Sequence, residues 1–102
     1  MAYGMILDAL GDPTRRRILE ALRAGPMAVS DLALTQTVSR PAVSQHLKTL
    51  EAAGLVSVAA QGNRRVYAIR GEAIGEVRAY LDGFWTEIMA AYSAEIHRRF
   101  GN

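Results

Sequence analysis

The sequence predicts a mainly helical fold with one small β-hairpin, in the order α-α-α-α-β-β-α. Three observations carry that expectation. Apolar residues recur every three or four positions from Tyr3 to about Ala53, and again from Gly71 to near Phe100, which is the spacing of amphipathic helices. Between these stretches the period changes. Leu55–Ala60 and Arg65–Ile69 alternate or run apolar as strands do. Helix punctuation stands where breaks are needed, at Asp12-Pro13, at Ser39 with Pro41, and at Gly54.

The first helix, Tyr3 to Leu10, carries Ile6, Leu7 and Leu10 at helical spacing, and Gly11 can close it. Asp12 can cap the second, which starts at Pro13 and runs to Arg23 with Ile18, Leu19 and Leu22 on one side. Arg15, Arg16 and Arg17 point about 100° apart, so they form no single patch. They are expected in solvent or beside acids such as Asp12 or Glu20. Ala24-Gly25-Pro26 ends that helix. Ser30 is expected to cap a short third helix with Asp31 in its first turn and Leu32 facing inward. Thr37 and Val38 break the chain before a fourth helix, capped by Ser39 and stopped by Gly54. Gln61–Arg64 contains Gly62-Asn63, a hairpin turn signal. In the last helix Ile74, Val77, Leu81, Phe84, Trp85, Ile88, Tyr92 and Ile96 recur at helical spacing.

A chain of 102 residues suits one domain over residues 1–102, with half its residues apolar. The formal net charge is +2 and the pI about 9.4, which by itself selects no function. The absence of cysteine excludes a disulfide scaffold, a thiolate metal site and a cysteine nucleophile. The first apolar run is broken by Gly4 and Asp8, unlike a secretory signal. No run approaches the ~20 apolar residues of a membrane span. A soluble, cytoplasmic protein with no membrane partner is expected. There is no G-x-S-x-G, no phosphate loop and no carboxylate cluster with a histidine. An enzyme, a cofactor and a metal are therefore not expected. His46 has no second ligand at metal spacing and is read as a packed histidine donating to a backbone group or a phosphate.

The fourth helix carries the functional signal. Val43, Leu47 and Leu50 form its core face, and Pro41, Gln45, Lys48 and Ala52 lie opposite. Ala42 and Thr49 flank that exposed face on one side, Arg40 and Ser44 on the other. A helix entering the ~12 Å major groove must be slim, and glutamine can pair bidentately with adenine. Ala42 and the Pro41 ring suit a thymine methyl. Ser39, Arg40, Ser44 and Lys48 suit phosphates. A short helix joined by a tight break precedes it, the helix-turn-helix layout. The hairpin that follows bears Arg64-Arg65, as a wing gripping flanking DNA would.

The segments "LGDPTRRRILEAL", "VSDLA", "SRPAVSQHLKTLEAAGLV" and "GNRRVYAI", in that order and spacing, resemble the ArsR/SmtB family of winged-helix repressors over nearly the whole chain. The resemblance implies a homodimer on double-stranded DNA with two-fold operator symmetry, with the fourth helix in the major groove. It also implies a dimer interface made by the first and last helices, here Tyr3, Ile6 and Leu7 with Leu81, Phe84, Trp85, Ile88 and Tyr92. Metal-sensing members carry an "ELCVCDL"-like segment, where this chain has Ala28-Val29-Ser30-Asp31-Leu32. Others use an Asp-x-His…His-x-x-Glu set, where this chain has Asp82, Phe84, Glu95 and Arg98. The chain thus resembles members without those sites. Relatives often have glycine at the position of Thr37, where a left-handed backbone would strain threonine.

Two alternatives follow from the aromatic residues of the last helix. The chain could be a winged-helix module that binds a protein through Phe84 and Trp85 without touching DNA. It could also be a repressor gated by a small organic effector held between subunits, whose identity the sequence leaves open.

Overall fold

Asp12 decides where the second helix begins. Its backbone is extended (φ −92°, ψ 126°), and its carboxylate accepts from the N–H of Thr14 at 2.8 Å and of Arg15 at 3.0 Å. Two orphan donors of the first turn are thereby satisfied, and Pro13 at its start has no N–H to leave unpaired. The bond from the Arg15 N–H, then that from Thr14, holds the Asp12 carboxyl below its ordinary range. The Arg15 and His46 charges add to this, and desolvation opposes it. A depressed carboxylate pKa gives stabilisation that is complete above the unfolded-state value and is lost as pH falls through the folded one. Asp12→Ala is therefore expected to lower the melting temperature at pH 7. The gap from wild type should close as pH falls below the usual aspartate value of 3.8. A gap that stays constant with pH would show that the carboxylate charge does not cap the helix.

The computed structural model describes residues 2–101. In chain order the elements are α1 (Ala2–Leu10), α2 (Pro13–Leu22), β1 (Met27–Ala28), α3 (Val29–Leu34), α4 (Arg40–Ala52), β2 (Val56–Gln61), β3 (Arg64–Ile69) and α5 (Gly71–Phe100). The expected order holds, with β1 added between the second and third helices. This two-residue strand pairs antiparallel with β3, Met27 opposite Tyr67 and Ala28 opposite Val66. The hairpin is thus two strands of a three-stranded antiparallel sheet ordered β1-β3-β2. A second correction follows from β1. The cap residue of α3 is Ala28, extended at φ −72°, ψ 153°, and it makes no side-chain cap bond. Ser30 lies inside the helix because β1 carries the chain straight into it.

The hairpin register runs from Val56 opposite Ile69 to Gln61 opposite Arg64, leaving Gly62 and Asn63 as the turn. Gly62 has φ 62°, and no non-glycine residue among those described has positive φ. A single left-handed position at the first turn residue fits a II′ turn and not a I′ turn, which needs two.

Ile6 and Ala9 of α1, Ile18, Leu19 and Leu22 of α2, and Leu32 of α3 meet Val43, Leu47 and Leu50 of α4. Leu55, Val56, Tyr67 and Ala73 close this core. From α5 only the first turns contribute. Ala73 is buried and Val77 packs at the edge, whereas Ile74 faces out. Tyr80 stacks on Tyr3 of α1 at 4.8 Å between ring centroids, and Phe84 meets Tyr80 edge-on at 5.1 Å. Beyond that point α5 leaves the body. Thirty residues make ~45 Å of helix at 1.5 Å per residue, and the nine of α1 cover about a third of that. The radius of gyration is 18.6 Å, against about 13 Å for a compact chain of this length. The free portion carries Leu81, Trp85, Ile88, Tyr92, Ile96 and Phe100, all exposed. Its end is tied locally, with Arg98 and Arg99 both paired to Glu95 and Gly101 closing the helix at φ 75°. No helix is long and apolar enough to cross a membrane among the described residues.

Candidate nucleic-acid interface

The start of α4 is set by Ser39, extended at φ −68°, ψ 158°, whose Oγ accepts from the N–H of Ala42 at 3.3 Å. Val43, Leu47 and Leu50 are fully buried, and this fixes the rotation of the helix. Pro41, Gln45, Lys48 and Ala52 are consequently exposed, with Arg40 and Ser39 also in solvent and Ala42 and Ser44 half-buried. The exposed leading end is short and neutral, with cations only at its flanks, as periodicity predicts. The turn from α3 needs no left-handed residue, so Thr37 carries no such strain. Thr35 steadies it by donating its hydroxyl to the Leu32 carbonyl at 2.7 Å.

The end of α4 sets the position of the wing. Gly54 (φ 77°) donates to the Glu51 carbonyl at 2.9 Å, and Leu55 donates to that of Leu50 at 3.0 Å. These two bonds make a Schellman motif, and buried Leu50 and Leu55 supply its apolar contact. The chain therefore enters β2 directly. At the far end of the hairpin, Arg64 and Arg65 line a hollow of about 140 Å³ together with Ser30, Asn63 and Arg40 of α4. Arg65 also borders a wider hollow of about 340 Å³ with Ser44 and Lys48. Arg40, Ser44, Lys48, Arg64 and Arg65, distant in sequence, thus share one continuous surface.

Contacts within the chain engage several of these residues. The Arg64 guanidinium is paired with the Asp31 carboxylate of α3, both side chains being about half exposed (55% and 51%). Among the described residues His46 meets the Arg15 side chain and not a backbone group. It is half-buried on the shoulder of α4, and its Nδ1 lies 3.4 Å from Arg15 Nη1, able to accept when the ring proton is on Nε2. Among the described residues the arginines of α2 pair with no carboxylate; Arg16 and Arg17 are exposed, as expected, and Arg17 Nη2 donates to the Thr14 hydroxyl oxygen at 3.0 Å. Arg15 Nε donates to Ala9 O at 2.7 Å and Nη2 to Asp8 O at 3.4 Å, while Arg16 Nη1 donates to Leu10 O at 2.6 Å. These are the last carbonyls of α1, where a helix end favours positive charge. Arg15 thus joins the end of α1 to α4, and nothing in residue spacing pointed to that role.

The apolar set divides in two. Leu81, Phe84, Trp85, Ile88 and Tyr92 are exposed on α5, and Tyr3 and Leu7 are half-buried on α1. Ile6, at 1% exposure, is consumed by the chain's own core and offers no surface to a second copy, which corrects its place in that set. Among the described residues no group of three His, Asp or Glu side chains is placed to hold a metal ion.

A slim helix held by an upstream helix and a tight turn, with a basic hairpin clamped to its far end, defines a winged helix-turn-helix DNA-binding domain. A protein-family model described as "Bacterial regulatory protein, arsR family" matches residues 12–58. The chain is 49% identical over 86 residues to the HTH-type transcriptional regulator Rv2034 of Mycobacterium tuberculosis, covering 84% of this chain and 80% of that one. It is 36% identical over 64 residues to the transcriptional repressor SdpR of Bacillus subtilis, covering 63% and 71%. Among solved structures, the homodimeric winged helix-turn-helix DNA-binding domain Mb0332 of Mycobacterium bovis superposes with a TM-score of 0.69 at 27% identity, covering 86% of this chain and 82% of that one. The chain belongs to the ArsR family of bacterial regulatory proteins and is a transcriptional regulator, not an enzyme.

Proposed function

We propose that residues 1–102 act as one winged-helix domain, a homodimeric repressor in the cytoplasm that binds an operator with two-fold symmetry. In this reading α1 and the free face of α5 join two copies. Each α4 enters a major groove, and the half-sites lie about one helical turn apart. Gln45 reads a base edge, Pro41 and Ala42 meet apolar base surface, and Ser39, Arg40, Ser44, His46, Lys48, Arg64 and Arg65 face the backbone. The observation that carries the reading is the shared surface of α4 and the wing, with four cations around a small polar helix face.

The test is titration against operator-like and scrambled duplexes at several salt concentrations. Affinity should fall steeply with salt. Gln45→Ala is expected to reduce discrimination at one position per half-site by ~1–3 kcal/mol, as loss of a bidentate base contact does. Arg64→Ala should weaken every sequence alike. If both variants bind the operator as wild type does, the assignment of these residues is wrong. A wild-type chain with no preference between the duplexes would instead favour the protein-binding module.

A further inference from the structure

Of the cations on the proposed DNA face, Arg64 is the one that the described residues place in an ion pair. Arg40, Lys48 and Arg65 have none, and the other pairs lie at Arg70–Glu72 and along α5. The partner, Asp31, sits in the first turn of α3, three residues after Ala28. Ala28 pairs with Val66, and Val66 lies two residues after Arg64. The β1–β3 ladder therefore sets the acid beside Arg64, which itself lines the hollow shared with Arg40 and Arg65. A carboxylate presents to a guanidinium the same fork of oxygens that a phosphate does.

We propose that Asp31 is a built-in phosphate surrogate, occupying the wing arginine when DNA is absent and limiting how strongly the wing grips any duplex. This rests on the DNA-binding reading above. The pair is exposed, so it exchanges readily; an exposed ion pair is weak and salt-screened. A DNA phosphate must displace Asp31 or share Arg64 with it. This competition for the guanidinium lowers the sequence-independent part of affinity and leaves base reading by α4 untouched.

The experiment is a double-mutant cycle on DNA binding with wild type, Asp31→Asn, Arg64→Ala and the double variant, each on operator-like and scrambled duplexes. Asp31→Asn is expected to bind both duplexes about fivefold tighter, the scale of an exposed ion pair. In the Arg64→Ala background the same substitution should change affinity less than twofold. Asp31→Glu, which keeps the carboxylate, should stay near wild type. Thermal unfolding identifies any variant whose fold has changed. If Arg64→Ala weakens binding but Asp31→Asn gives no gain, or gives the same gain without Arg64, the surrogate role is overturned and the wing contact stands. An Arg64→Ala chain as tight as wild type overturns the wing contact and the surrogate together.

Discussion

A chain carrying Trp85→Glu and Ile88→Glu is expected to remain folded, to run as a monomer at micromolar concentration, and to bind operator DNA ~10²–10⁴-fold more weakly. Both side chains are more than half exposed in the single chain (62% and 55%), so the charges disturb no packing there. In a two-fold interface built on α5 the same substitutions act twice, once from each copy, and bury unpaired carboxylates. The loss in DNA affinity follows because a lone half-site contact forfeits the effective concentration supplied by its tethered twin. Sedimentation and DNA titration on one preparation, with circular dichroism to confirm helix content, check this result. A dimer that survives both charges would place the interface elsewhere than on α5.

Leu47→Ala is expected to lower folding stability by about 2–5 kcal/mol, the range for a buried leucine truncated to alanine. Leu47 is fully buried in α4, between Val43 and Leu50, which are buried equally well. Native domains are stable by only about 5–15 kcal/mol, so the melting temperature should fall by at least ~8 °C. Gln45 lies on the opposite, exposed face of the same helix, and its truncation should leave the melting temperature nearly unchanged. The two variants separate what holds α4 in place from what α4 presents. A Leu47→Ala chain that melts within 2–3 °C of wild type, against the ~4–8 °C per kcal/mol typical of this size, would show that the α4 core face is not tightly packed.

The elements legible in the sequence are those whose signals are local. Asp12-Pro13, Ser39 and Gly54 act within a few residues of themselves, and each cap or stop stands where it was expected. The outward face of α4 follows from three leucine and valine positions at helical spacing. What was not legible depends on partners far along the chain. A two-residue strand has no period, so β1 left no trace in the pattern, and with it went the true cap of α3. Arg64 meets Asp31 across 33 positions, and Arg15 meets His46 across 31, so neither pairing has a spacing to detect. Ile6 and Leu7 are neighbours on an apolar helix, and only the packing of α1 decides that the former turns inward. The missed features are therefore tertiary ones, and β1, the cap of α3 and the Arg64–Asp31 pair lie where the candidate interface is assembled.

The junction after α4 has a further consequence. One glycine, two backbone bonds and a pair of buried leucines join α4 to the wing, with no slack segment between them. The gap between helix and hairpin is therefore a fixed jaw, like that of a caliper. Duplexes differ in how easily their grooves narrow or widen to a given width. A jaw that does not adjust admits those whose resting shape already matches it, so base pairs that no side chain touches would still contribute to the choice of site.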